Sequence, residues 1–181
     1  MIITELALPG VKILEPRYFE DYRGYYCETY SKRTMQQSGI DTLFVQDNHS
    51  YSIKKGTIRG IHFQNNPHPQ IKLVRCTRGR IMDFAVDLRK NSPTFKKWVG
   101  IELSADNRKQ IWIPSGFGHG FVTLEDHCEV LYKVNELYYP ALDRSIAWND
   151  PEIDIDWGVT NPIISQKDID APTLALSDVN F

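Results

Sequence analysis

The sequence is short of every feature that would place it in an oxidising compartment, in a membrane or on a polyanion. Its three cysteines, Cys27, Cys76 and Cys128, are odd in number and far apart. They fit reduced, buried thiols in the cytoplasm better than a disulfide frame. No apolar run approaches the ~20 residues that span a bilayer, so no membrane association is expected. The opening MIITELALPG lacks the basic start and apolar core of a secretory signal. Nor is charge of one sign in excess. A net charge of −2 gives no electrostatic case for nucleic acid, so an anionic small ligand would have to be met by local basic side chains. There is no fixed-period repeat, low-complexity stretch or linker, and residues 1–181 read as one domain.

What the chain does have is strand pattern. Residues 1–30 alternate and are rich in Ile, Val, Tyr and Phe, with Asp21-Tyr22-Arg23-Gly24 as a turn between two runs. Residues 31–38 are the best helix candidate, with Ser31 to cap the start and Gly39 to follow the end. From 43 to about 135, short alternating runs are separated by Gly, Pro, Asn and Asp, the pattern of a β-sandwich or barrel. The clearest strands are 71–77, 80–88, 97–103, 110–113, 120–124 and 128–135. Beyond Tyr138, four prolines predict an irregular segment with a short helix that wraps the barrel.

Within this pattern the stretch Gly56 to Gly79 stands out. Five residues separate Gly56 from His62, and six separate Lys72 from Gly79. That spacing is similar to the first motif of the cupins, small double-stranded β-helix barrels, and Pro114-Ser115-Gly116-Phe117-Gly118-His119 is similar to the second. The resemblance implies an all-β jelly-roll fold. Where a metal-binding cupin has its second His and its Glu, however, this chain has Gln64 and Lys72. A Zn, Fe or Mn site needs neutral imidazoles or carboxylates converging on one point, and an ammonium among them repels the cation. No metal cofactor is therefore expected.

Period-two geometry places Lys72 on the side of Val74 and Cys76, and Tyr132 on the side of Cys128, Val130 and Val134. Both polar groups should point inward. By the same parity His62 and Arg59 fall on opposite faces, unless a bulge re-aims one of them.

Phe19 to Tyr25, Gln46-Asp47-Asn48, Arg59-Gly60-Ile61-His62-Phe63-Gln64, Gln70 to Val74, Ile113 to Phe121, Leu131-Tyr132-Lys133, Trp148 to Pro151 and Ser165 to Asp168 follow one another in order. Together they resemble the dTDP-4-dehydrorhamnose 3,5-epimerase family over nearly the whole chain. The resemblance implies a metal-free homodimeric cupin that acts on a dTDP-4-keto-6-deoxy sugar. A C4 ketone acidifies the hydrogens on C3 and C5, so inversion asks for a base, a group for the enolate oxygen and an acid on the opposite face. His62 is the natural base, because imidazoles titrate near neutral pH. Lys72 supplies a cation for developing negative charge, and Tyr132 supplies the acid. The resemblance gives Asp168 the task of orienting His62, with Asp83 as the alternative from strand geometry. It gives the diphosphate to Arg23, Arg59 and Lys167, and polar contacts to Glu28, Gln46, Asp47 and Asn48. His119 would meet the enolate oxygen or the sugar. Tyr138 and Tyr139 compete to stack on the base.

Two positions depart from the family pattern. Its Glu after Tyr-x-Pro is Asp143, one methylene shorter, and Ser145 stands where Gly is usual. Inversion at C3 alone or C5 alone, and a CDP or GDP sugar, are alternatives to the 3,5 reading. A metal-dependent cupin and a non-catalytic nucleotide-sugar binder are alternatives of a different class. The ligand positions Gln64 and Lys72 speak against the first, and His62 with Tyr132 against the second.

Overall fold

The computed structural model describes residues 1–181 and consists of two antiparallel sheets with a separate hairpin. In chain order the strands are β1 (Ile2–Glu5), β2 (Lys12–Glu15), β3 (Tyr18–Asp21), β4 (Gly24–Cys27), β5 (Gln46–Ser52), β6 (Ile58–Gln64), β7 (Lys72–Arg78), β8 (Arg80–Asp87), β9 (Trp98–Ser104), β10 (Gln110–Ile113), β11 (Phe117–Thr123), β12 (Cys128–Val134) and β13 (Asp143–Ser145). Helix α1 (Lys32–Gln37) precedes β5, and α2 (Gln166–Ile169) lies near the C-terminus. One sheet has the order β1-β2-β10-β7-β12-β5 and the other β13-β6-β11-β8-β9. From β5 onward the chain crosses between the sheets at nearly every connection, which is the jelly-roll path of the cupins.

The alternation in sequence is what builds the core. Val74, Cys76, Ile111 and Val130 from the first sheet pack with Ile81, Ala85 and Phe121 from the second. A second cluster lies outside the β13–β9 sheet, where Ile153, Ile155, Trp157, Leu174 and Val179 of the C-terminal segment cover Ile58, Phe63, Phe84 and Val122. The segment after Tyr138 also includes the short strand β13, which the proline content had hidden. Ser31 caps α1 by accepting from the Thr34 N–H at 3.4 Å, and Gly39 follows in a left-handed conformation.

Two expectations need correction. The strand read as 120–124 begins at Phe117. Gly118 and Gly120 depress its strand signal, yet both are needed because neighbours crowd their α-carbons. At Gly118, the space a methyl would take is filled by Cγ2 of Ile61. Cys27 is only half-buried, unlike Cys76 and Cys128, because it sits on the β3–β4 hairpin, which pairs with neither sheet.

Candidate active site

The mouth of the barrel holds a cavity of about 490 Å³ lined by 14 residues. Among them are His62, Lys72, His119, Tyr132, Lys167 and Asp168. These come from β6, β7, β11, β12 and α2, so the site exists only when both sheets and the C-terminal wrap are assembled.

Arg59 lines the same cavity, against simple strand parity. The β6–β11 register explains it: His119 faces His62 and Phe121 faces Arg59. Gly120 alone therefore opposes both Gly60 and Ile61. This bulge adds one residue to β6, and the extra residue returns Arg59 to the side of His62.

His62 Nε2 lies 2.6 Å from Oδ1 of Asp168. A carboxylate at that distance keeps the proton on Nε2 and leaves Nδ1 with the lone pair. Asp168 is buried on α2, where its N–H is capped by Ser165 Oγ at 3.2 Å. Backbone pairing with Gly56 and Ile58 through Ile163 latches this segment to the start of β6. Burial alone would raise the Asp168 carboxyl, but the His62 hydrogen bond and the Gly60 N–H hold it below the usual range. Asp83, the alternative partner, is engaged elsewhere: both its oxygens lie 2.9–3.0 Å from His119 Nε2.

Lys72 is buried, and its Nζ donates to the His62 carbonyl at 3.4 Å. Burial pushes its ammonium down to about 8, against the pull of Asp83 and Asp143. It stands 6.0 Å from the centre of the Tyr132 ring. Burial, with Asp143, raises the Tyr132 phenol, so the hydroxyl keeps its proton in the neutral range. The cavity thus presents the Nδ1 edge of an imidazole, a buried lysine whose pKa is lowered and a protonated phenol.

The remaining predicted residues divide into three groups. At the rim, Asp143 Oδ2 accepts from Lys167 Nζ at 2.6 Å and from the Tyr138 hydroxyl at 3.3 Å. The shorter carboxylate still reaches its neighbours. Gln46 bridges inward, donating to Asn48 Oδ1 at 2.8 Å and accepting from the Tyr138 N–H at 3.3 Å. Tyr139 is committed to stacking on His68, with centroids 4.2 Å apart. Tyr138 is half-exposed beside Asp143, with its hydroxyl 3.3 Å from Asp143 Oδ2. A second group is misplaced: Asp47 points to the opposite face of β5 and pairs with Lys133 at 2.6 Å. The third group does not reach the cavity of its own chain. Arg23 is paired with Asp21 at the hairpin turn, and Glu28 accepts from Thr34 Oγ1 at 3.2 Å.

The two altered cupin positions are also accounted for. Gln64 spends its amide nitrogen on the Leu137 carbonyl at 3.1 Å and its oxygen on the Tyr139 N–H at 2.9 Å. It ties down the loop that carries Tyr138. No three His, Cys, Asp or Glu side chains converge into a metal-holding group. Residues not proposed for the site from the sequence are Ser50, Thr57, Ile58, Phe121, Ile163, Ile164 and Ser165, which complete the lining. Strand parity could have marked Ser50 and Phe121, while Ile163, Ile164 and Ser165 lie outside any strand.

A jelly-roll barrel whose mouth gathers an imidazole paired with a carboxylate, a buried lysine and a phenol has the architecture of the cupins. The family model of dTDP-4-dehydrorhamnose 3,5-epimerase matches residues 5–176. The enzyme of that name from Salmonella typhimurium is 51% identical over 176 residues, 96% of each chain. The Bacillus anthracis enzyme, whose crystal structure holds TDP and PPi, superposes with a TM-score of 0.93 at 50% identity, covering 95% of this chain and 98% of that one. The Legionella pneumophila enzyme in complex with dTDP-4-keto-L-rhamnose gives 0.92 at 41%, covering 98% and 94%. The chain belongs to the dTDP-4-dehydrorhamnose 3,5-epimerase family.

Proposed function

We propose that this chain inverts C3 and C5 of a dTDP-4-keto-6-deoxyhexose, giving dTDP-4-dehydrorhamnose for deoxysugar synthesis. The observation that carries the reading is the His62–Asp168 hydrogen bond at 2.6 Å on a cavity shared with Lys72 and Tyr132. His62 Nδ1 takes the hydrogen next to the ketone, and the carbanion's charge moves to the ketone oxygen. Lys72 meets that oxygen as it becomes anionic. Tyr132 then protonates the carbon from the opposite face. Its raised pKa is no obstacle, because an enolate carbon is the stronger base. Arg59 and Lys167 face the diphosphate, and Tyr138 stacks on the base beside Asp143. Gln46 and Asn48 supply polar contacts.

The family's activity at 51% identity supports inversion at both centres, over one alone. Proton NMR of the 4-keto nucleotide sugar in deuterated water is the test. Deuterium should enter C3 and C5 with appearance of the epimerised ring. Exchange at one centre only would establish a mono-epimerase, and no exchange would sink the reading.

The reading includes a homodimer. The β3–β4 hairpin pairs with no strand of its own chain and exposes Phe19, Tyr22, Tyr25 and Tyr26. Such an apolar surface calls for cover. A second copy would also give Arg23 and Glu28 a site to serve. A monomer by light scattering at micromolar concentration would overturn this part. No helix is long and apolar enough to cross a membrane.

A further inference from the structure

A second histidine–aspartate pair lies beside the first. His119 stands directly across the β6–β11 ladder from His62. Its Nε2 meets Oδ1 of Asp83 at 3.0 Å and Oδ2 at 2.9 Å. Asp83 is completely buried on β8 and takes no part in lining the cavity, whereas His119 does. A carboxylate seated on one ring nitrogen holds the proton there in either charge state. Nδ1 is then the only nitrogen His119 has left for a ligand.

Whether that nitrogen donates or accepts depends on the charge of the ring. His119 is almost fully enclosed, and burial, joined by the neighbouring charge of Lys72, favours the neutral form over the pull of Asp83. A neutral ring protonated on Nε2 has a lone pair on Nδ1. It repels an anionic enolate oxygen but takes the hydrogen of a hydroxyl group. Lys72 has no such conflict, since an ammonium has three donors and spends one on the His62 carbonyl.

We infer that Asp83 is a positioning residue that commits His119 Nδ1 to accepting a hydrogen bond from a hydroxyl of the sugar ring, leaving Lys72 as the group that meets the enolate oxygen. The substrate half of this statement rests on the epimerase reading, while the tautomer half does not. The division has a chemical use. A hydroxyl anchor is present before and during each proton transfer, so it holds the ring in place without favouring one centre.

Nitrogen-15 NMR of the ligand-free protein near neutral pH reads the tautomer directly. His119 should show a protonated Nε2 and a bare Nδ1. A bare Nε2, or an imidazolium, overturns the inference. In kinetics, His119→Asn should raise KM by roughly 2- to 10-fold, the loss of one uncharged hydrogen bond, with a smaller fall in kcat. A nucleotide sugar with a hydroxyl in place of the ketone cannot enolise, and its affinity should weaken by the same factor. The nucleoside diphosphate alone should bind as before. A kcat loss of about 10²-fold or more with KM unchanged would put His119 on the enolate oxygen and overturn the inference. Asp83→Asn should reproduce the KM effect together with a changed nitrogen-15 pattern. Should that variant fail to fold, His119→Asn and the ligand-free spectrum still decide. If wild-type protein fails to turn over the 4-keto sugar, the epimerase reading falls while the spectrum still settles the tautomer.

Discussion

Gly60 and Gly120 face each other so closely that a Cβ on Gly60 would lie 2.5 Å from the Gly120 α-carbon. Gly60 has φ +137, a conformation closed to other residues without strain. Gly120 is hemmed in by the Arg59 carbonyl and Trp157, each 3.0 Å from a built Cβ. This contact is the bulge that puts Arg59 and His62 on one face. Two small residues with no side chain to offer the substrate thereby set the geometry around His62.

Replacing either glycine should therefore cost both stability and activity. Gly60→Ala and Gly120→Ala each force the strands apart, and overpacking of this kind costs about 1–3 kcal/mol. Denaturation midpoints should fall accordingly. Activity should fall further than stability explains, because the separation of Arg59 and His62 changes. Wild-type kcat in a destabilised Gly60→Ala would show that the bulge does not position the base.

Asp168→Asn leaves the shape of the site almost intact and removes the charge that fixes His62. An amide can donate to Nε2, which moves the ring proton to Nδ1 and blocks the base. A comparable swap behind a catalytic histidine costs about 10⁴-fold, and a loss of at least ~10²-fold in kcat is expected here. Nucleotide affinity should change little, since Asp168 faces His62 and the Gly60 N–H. Unchanged kcat would make Asp168 a capping residue of α2 and nothing more.

These cases show what could be read from the sequence and what could not. Period-two spacing placed Lys72 and Tyr132 correctly, because β7 and β12 stay regular at those residues. It failed for Arg59, because one extra residue inverts parity and no single-sequence signal marks a bulge beyond a glycine. Asp168 and Asp83 could not be ranked by strand geometry, since Asp168 arrives on a helix 106 residues away in the chain from His62. Asp47, which the resemblance grouped with Gln46 and Asn48, lies on the other side of β5 because adjacent residues on a strand face opposite ways. Arg23 sits at the turn of a hairpin, and Glu28 just after it, and no local pattern encodes the place of that hairpin relative to the barrel.

His62 and Tyr132 should separate in their effects. His62→Ala should abolish solvent deuterium uptake at both carbons together with inversion, with a loss of about 10²–10⁴-fold. Tyr132→Phe should lose inversion more severely than exchange, because His62 can still remove a proton and return one from solvent on its own face. The two rates are read from one NMR time course. Inversion at the wild-type rate in Tyr132→Phe would mean that another group is the acid.

Lys72 joins activity to stability through pH. With its ammonium held down to about 8 by burial, kcat/KM should decline as pH rises through that value, because the neutral amine no longer meets the enolate oxygen. Lys72→Met should lack this limb and be slower by about 10²–10³-fold. The stability effect has the opposite sense. An unfolded lysine titrates near 10.4, so between about 8 and 10.4 the unfolded chain holds a proton that the native protein has shed. Wild-type stability gained at this site therefore rises with pH across that window, by on the order of 3 kcal/mol. Below pH 8 the native protein carries the buried cation at full cost, and a methionine does not. Lys72→Met should accordingly be more stable than wild type at about pH 7, with its advantage shrinking toward pH 10. Denaturant midpoints at the two pH values measure it. A variant less stable than wild type at neutral pH would mean that Asp83 and Asp143 more than offset the burial of the charge, and the assigned limb near pH 8 would fall with it.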